Sequence, residues 1–193
     1  MPNNEKSWVK LPEGRLSFPK LFEPAPGFNG GEPKYETEVL IPKSSPLNEL
    51  KSRFAAIVME KFPDETKRPV FQLPIKDGDS LNQARVAAGK DPRPELEGMN
   101  VVKARSKQKP PVIDLQNRPI TSAEDAKGGF WAQVVVSPFY YSHVGGGLSM
   151  GLDAVQITRK DTPFGSAFDL EDAFGPVQNQ ADGMDPELEG MFA

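Results

Sequence analysis

Prolines and glycines punctuate this chain too closely for long helices. Its 193 residues include 20 prolines and 17 glycines, spread along the whole length and well above average usage. Proline breaks helix interiors, and both residues mark turns. The density argues against a helical bundle and for strands joined by many turns. The length fits one domain with an adequate core plus an appendage. With no cysteine there is no disulfide framework and no thiolate chemistry, as suits a reducing cytosol. No apolar run reaches the roughly 18 residues that a membrane helix needs. The polar start Met1-Pro2-Asn3-Asn4-Glu5-Lys6 precedes no signal-peptide core. A soluble, mainly β protein with no membrane partner is expected.

Charge divides the chain in two. Residues 161–193 hold eight of the 27 acids (Asp161, Asp169, Glu171, Asp172, Asp182, Asp185, Glu187 and Glu189) and none of the 23 lysines and arginines. The net charge of −4 therefore separates into −8 for this tail and +4 for residues 1–160. A one-signed tail of this kind is expected to be disordered and to serve as an interaction segment. The overall acidity hides a mildly basic body.

Strand signals run through that body. Arg15-Leu16-Ser17-Phe18 and Lys20-Leu21-Phe22 read as a first strand interrupted by Pro19, and Tyr35, Thr37, Val39 and Ile41 alternate with Glu36, Glu38 and Leu40 in a second. Ser45 and Pro46 read as the start of a helix ending near Phe62, with Leu47, Leu50, Phe54, Ile57 and Val58 on one face. Residues 63–98 are loop-like, with a short helix expected over 80–90. Further strands are expected at 100–109, 112–114, 130–136 and 148–157. In the last, Leu148, Met150 and Leu152 share one phase, and Val155 and Ile157 the other. That slip predicts a β-bulge near Asp153-Ala154. Strong bends suit a small closed barrel better than an open sheet.

Lys103, Arg105, Lys107 and Lys109 recur with period two, which in a strand puts all four on one face. Like charges so placed repel each other, and a phosphate backbone crossing the strand would offset that cost. A solvated edge strand guarded by lysines is the other reading. Aromatics gather at Phe130, Trp131, Phe139, Tyr140 and Tyr141. Phe130, Ala132, Val134 and Val136 read as a core face, so Trp131 is expected to project outward, where a base could stack on it. His143 is the only histidine, too little for a histidine-based metal site, and reads as a polar surface residue. Asp77-Gly78-Asp79-Ser80 suggests a calcium loop but lacks its downstream glutamate. Gly145-Gly146-Gly147 lacks the lysine of a phosphate loop and reads as a hairpin turn. Pro94-Glu95-Leu96-Glu97-Gly98-Met99 recurs as Pro186-Glu187-Leu188-Glu189-Gly190-Met191.

Taken in order, Arg15-Leu16-Ser17, Leu21-Phe22-Glu23-Pro24, Lys34-Tyr35, Leu40-Ile41-Pro42-Lys43, Lys76-Asp77-Gly78-Asp79, Lys103-Ala104-Arg105-Ser106, Gly128-Gly129, the run from Val134 to Tyr141, and Gly147-Leu148 through Val155-Gln156 resemble a family of phage single-stranded DNA-binding proteins. The resemblance covers most of residues 15–158. It implies an OB-fold domain over residues 1–160, a five-stranded barrel with one buttressing α-helix and long loops, and an acidic flexible tail over 161–193. It further implies binding of single strands without sequence preference, in phage DNA replication and recombination, within the cytoplasm of an infected bacterial host. The expected contacts to single-stranded DNA are Arg15, Lys34, Lys103, Arg105, Lys107 and Lys109 on phosphates, with Trp131, Tyr140 or Tyr141 on bases. The tail, through Asp182, Asp185, Glu187, Glu189 and Phe192, would recruit a partner such as a DNA polymerase. Such tails often end in an aromatic, whereas here Ala193 follows Phe192. No cofactor, metal or catalytic residue is expected. Two rivals remain at the level of sequence: a β-rich virion structural protein, and a metal-dependent nuclease using Asp77, Asp79, Glu36 and Glu38.

Overall fold

A computed structural model describes residues 7–143 and 145–165. In chain order its elements are β1 (Val9–Lys10), β2 (Gly14–Ala25), β3 (Lys34–Pro42), α1 (Asn48–Lys61), β4 (Ile75–Asp77), α2 (Gly78–Ala87), β5 (Met99–Ser106), β6 (Val112–Ile113), β7 (Trp131–Tyr141) and β8 (Gly147–Arg159). Five long strands pair in the cycle β7-β2-β3-β5-β8, and an antiparallel β7–β8 ladder closes it into a barrel. This is the mainly β, five-stranded architecture that the sequence implies. The two- and three-residue strands β1, β4 and β6 extend its edges. The buttressing helix is α1, and α2 stands where the short helix over residues 80–90 is expected, beginning two residues earlier.

Closure needs sharp bends, and β8 supplies them. Val135 pairs with Ala154 but Val136 with Leu152, so Asp153 is an extra residue. This is the bulge predicted from the phase slip. Ser137 fixes it by donating its hydroxyl to Asp153 Oδ2 at 2.5 Å.

Two apolar clusters follow from the strand alternation. Leu16, Val39, Ile41, Val102, Ala104, Ala132, Val134, Val136 and Val155 fill the barrel, and Leu47, Leu50 and Phe54 of the α1 region cap it. The helix starts later than predicted. Leu47, not Ser45, occupies its N-cap, without a side-chain hydrogen bond. The Ser45 amide instead closes a turn onto the Pro42 carbonyl at 2.9 Å. The second cluster lies outside the barrel wall, where Leu96, Leu81, Met99 and Phe164 cover Leu40 and Val101. The first Pro-Glu-Leu-Glu-Gly-Met segment thus buries its leucine under the sheet's outward face. The second copy lies outside the described residues.

α2 is clamped to the end of β3 by charge. Asp77 caps the helix by accepting the Ser80 amide at 2.9 Å, and Asp79 accepts the Gly98 amide at 3.0 Å. Lys43 Nζ sits 2.7 Å from Asp77 and 2.6 Å from Asp79. Its hydrogen bonds hold both carboxyls below the usual aspartate range, and they in turn raise the Lys43 ammonium. The residues suspected of nuclease chemistry therefore do structural work. Glu36 and Glu38 pair with other cations, on β5 and at Arg93. Among the described residues no group of three or more metal-ligating side chains assembles.

Two predictions follow from this packing. Phe54→Ala, at a fully buried site, should cost about 3–5 kcal/mol in urea unfolding, whereas Val70→Ala, 99 % exposed, should change stability by less than about 0.5 kcal/mol. The Asp77 and Asp79 carboxyls titrate lower in the folded than in the unfolded chain. Their stabilisation is therefore complete above the ordinary aspartate value of about 3.9 and is lost as pH falls through the depressed values. The melting temperature of the native protein should drop more steeply below about pH 4 than that of Asp79→Asn.

Candidate nucleic-acid interface

Part of the barrel's outward face is covered. α2, the turn at residues 94–98 and Phe164 cover its lower half, over Leu40 and Val101. The upper half of β3 and β5 carries charge instead. Glu38 lies opposite Lys103 and Glu36 opposite Arg105 in the antiparallel register, so these side chains share the outward face. Val102 and Ala104 point inward, as expected, and are fully buried or nearly so.

The basic stripe is shorter than its period suggests. β5 ends at Ser106, whose hydroxyl accepts the Gln108 amide at 3.1 Å. This local turn competes with the ladder, and Pro110 and Pro111 follow. Lys107 and Lys109 thus leave the strand. Lys109 swings away to lie 5.4 Å over the Phe22 ring, while Lys107 stays beside Arg105 and pairs with Glu32 at 2.6 Å. Mutual repulsion along the stripe is relieved by acids. Glu36 accepts from Lys103 Nζ and from Arg105 Nε, each at 3.0 Å.

Two adjoining clefts meet at this end and share Lys34, Arg105, Lys107 and His143. One runs toward residues 25–32, and the other is walled by Phe139, Tyr141 and Ser149. Lys34 has no ion-pair partner among the described residues. Phe139 is 44 % exposed. The Tyr141 ring lies across its cross-strand partner Gly147, where a Cβ would stand 2.4 Å from the phenol oxygen, so only glycine permits that pose. His143 sits 5.2 Å from the same ring. The result is a shallow, basic, aromatic-walled groove that suits a flexible polyanion carrying planar groups.

Other candidates lie elsewhere. Tyr140 points the opposite way from Phe139 and Tyr141, packing edge-on against Phe62 and Phe71 at 5.5 and 5.7 Å. Trp131 stands at the far end of β7, ten residues and about 33 Å of strand away. Its indole N–H donates to Asp161 at 2.8 Å, and Arg159 covers its ring at 4.0 Å. Arg15 serves the same corner. It donates to the carbonyls of Gly129 and Thr162 at 2.8 and 3.0 Å and lies 4.3 Å over the Phe164 ring. The Trp131 N–H, the Thr162 amide and the two arginines hold the Asp161 carboxyl below its ordinary range. Residues 161–165 are thereby strapped onto the barrel, past Gly129, whose φ of +102° and 2.5 Å approach to Thr162 admit no side chain. Asp182, Asp185, Glu187, Glu189 and Phe192 lie outside the described residues.

Phe139 and His143, which also line this groove, are not among the contacts expected from the sequence. Extending the inward phase of Ala132, Val134 and Val136 along β7 assigns residue 140 to the interior and residues 139 and 141 to the surface. That signal was present in the sequence.

This architecture has known counterparts. Over 83 % of this chain and 91 % of the other, it superimposes on the single-stranded DNA-binding protein of bacteriophage Enc34 in complex with ssDNA, with a TM-score of 0.71 and 28 % identity. Bacteriophage T7 gp2.5, a single-stranded DNA-binding protein, shares the fold at TM-score 0.52 and 16 % identity, over 85 % and 98 % of the two chains. A protein p50 of Acyrthosiphon pisum secondary endosymbiont phage 1 is 29 % identical over 168 residues, 81 % of this chain and 85 % of that one. The family model described as Enterobacter phage Enc34, ssDNA-binding protein, matches residues 7–184. The match spans most of the chain, which belongs to this family of phage single-stranded DNA-binding proteins.

Proposed function

We propose that this protein coats single-stranded DNA without sequence preference during phage DNA replication and recombination, in the cytoplasm of the infected bacterial host. The observation that carries the reading is the convergence of Lys34, Arg105 and Lys107 with Phe139 and Tyr141 in one open groove. Phosphates meet the cations and bases stack on the rings. Stacking tolerates any base, because every base has a π-face. The ion pairs to Glu32 and Glu36 are exposed, and such pairs are worth about 0–1 kcal/mol, so a phosphate can displace them. Lys103 stands one register step along the same face and extends the positive field. Protection of the strand follows from burying its bases against the protein.

The acidic tail completes the proposal as the arm that recruits a replication protein such as a DNA polymerase. Its charge of −8 against a body of +4 also lets it occupy the basic groove until DNA displaces it. Truncation after residue 165 should tighten single-strand binding at low salt and have less effect at high salt, where screening is stronger.

Oligo-dT should bind more tightly than duplex of equal length. Its log–log salt slope should lose about 0.7 for each phosphate contact removed by Arg105→Ala or Lys107→Ala. Phe139→Ala and Tyr141→Ala should each cost about 1–3 kcal/mol of affinity, while Trp131→Ala should lower the melting temperature and leave affinity intact. Equal affinity for duplex, or loss confined to the Trp131 variant, would overturn the groove assignment.

A further inference from the structure

On the far flank of the same outward face, Phe18 holds a backbone conformation that the core does not require. Its φ is +47°, in the left-handed region that suits glycine. It also precedes Pro19, whose ring disfavours helical-type backbone at the residue before it. Phe18 and Pro19 together face Thr37, between the pairs Ser17–Glu38 and Lys20–Glu36. They form a β-bulge of the kind whose left-handed position ordinarily carries glycine. Burial does not account for a phenylalanine there, because Phe18 is 64 % exposed. Strained residues kept at the surface cluster at ligand-binding sites.

The surroundings of Phe18 are built rather than loose. Arg93 lies over the ring at 4.7 Å. Asn82, nearly buried, grips the Arg93 backbone through both its amide groups at 2.8 Å. The guanidinium donates to Ser17 Oγ at 2.9 Å and to Glu95 at 2.8 Å. Phe18, Phe22, Phe164, Lys20 and Lys127 line a cleft of about 530 Å³, within the roughly 300–1,000 Å³ range of small-ligand sites. Lys20 has no ion-pair partner among the described residues. It shares a cross-strand row with Glu36 and Arg105, which sets it two strand spacings, about 10 Å, from the basic groove.

We propose that Phe18 and Lys20 form a second nucleotide subsite, in which a base of the bound strand stacks on the Phe18 ring and Lys20 meets its phosphate. The subsite rests on the proposed binding of single-stranded DNA and extends the strand's path from Tyr141, across β5 and β3, to β2. The bulge turns the ring out of the sheet, and Arg93 fixes its orientation.

Phe18→Gly tests this cleanly, because glycine keeps the left-handed bulge and removes only the ring. Its melting temperature should equal or exceed that of the native protein. Affinities are measured for oligo-dT of about 4 and about 16 nucleotides, the two ends of the range for one OB-fold. The variant should bind the longer probe about 5- to 140-fold more weakly, the loss of one stacked base, and the shorter probe as the native protein does. Phe18→Trp should restore the longer probe's affinity. Undiminished binding of the longer probe, or equal loss on both, would overturn the subsite while leaving the groove in place. Failure of the native protein to bind either probe would bring down the proposed function and the subsite together.

Discussion

Closure of the barrel through the β7–β8 ladder is the constraint on which the rest depends. β8 must pair with β7 along its length, meet β5 at Gly151 and carry β6 on its other edge. A flat strand cannot satisfy all three, and the extra residue at Asp153 supplies the bend. The same ladder brings Phe139 and Tyr141 beside Arg105, because Gly151 is the shared neighbour of Arg105 and Ser137. The groove therefore exists only in the closed barrel.

Electrostatics explains why the groove is both stable and available. A strand face bearing Lys103 and Arg105 alone would repel itself. Glu36, facing Arg105 from β3, engages both cations, and Glu32 does the same for Lys107. These acids keep the free protein from paying the full repulsion and hold the cations on the outward face. The Arg105–Glu36 and Lys107–Glu32 pairs reach solvent and are weak, so exchanging a carboxylate for a phosphate there costs little, whereas Lys103–Glu36 is part-buried. At the opposite corner the arrangement of charge is different in kind. Arg15, Arg159 and Asp161 enclose Trp131 and strap residues 161–165 to the barrel, which anchors the point from which the acidic tail departs.

Much of this was legible in the sequence, and the losses have physical causes. The alternation of apolar residues located the long strands, and the phase slip after Leu152 located the bulge. Pairing partners are another matter, since register across strands is not written in either strand alone. That is why the basic stripe could be read but its acidic counterweight on Glu36 could not, and why Trp131 and Tyr141 were grouped although β7 holds them apart. Lys107 and Lys109 fit a period-two pattern, but the Ser106 turn ends the strand before them. Phe18 illustrates the deepest limit. A phenylalanine before proline predicts extended backbone, and only the two-against-one register with β3 reveals that it sits in a left-handed bulge.

The central claim is that a single strand lies across the open upper end of β5, β7 and β8, not at the Trp131 corner. Photo-crosslinking of an oligonucleotide carrying 5-bromodeoxyuridine, with the modified residues identified by peptide sequencing, tests it most directly. The account predicts adducts at Phe139, Tyr141 and His143. Adducts confined to Trp131 and its neighbours would contradict it.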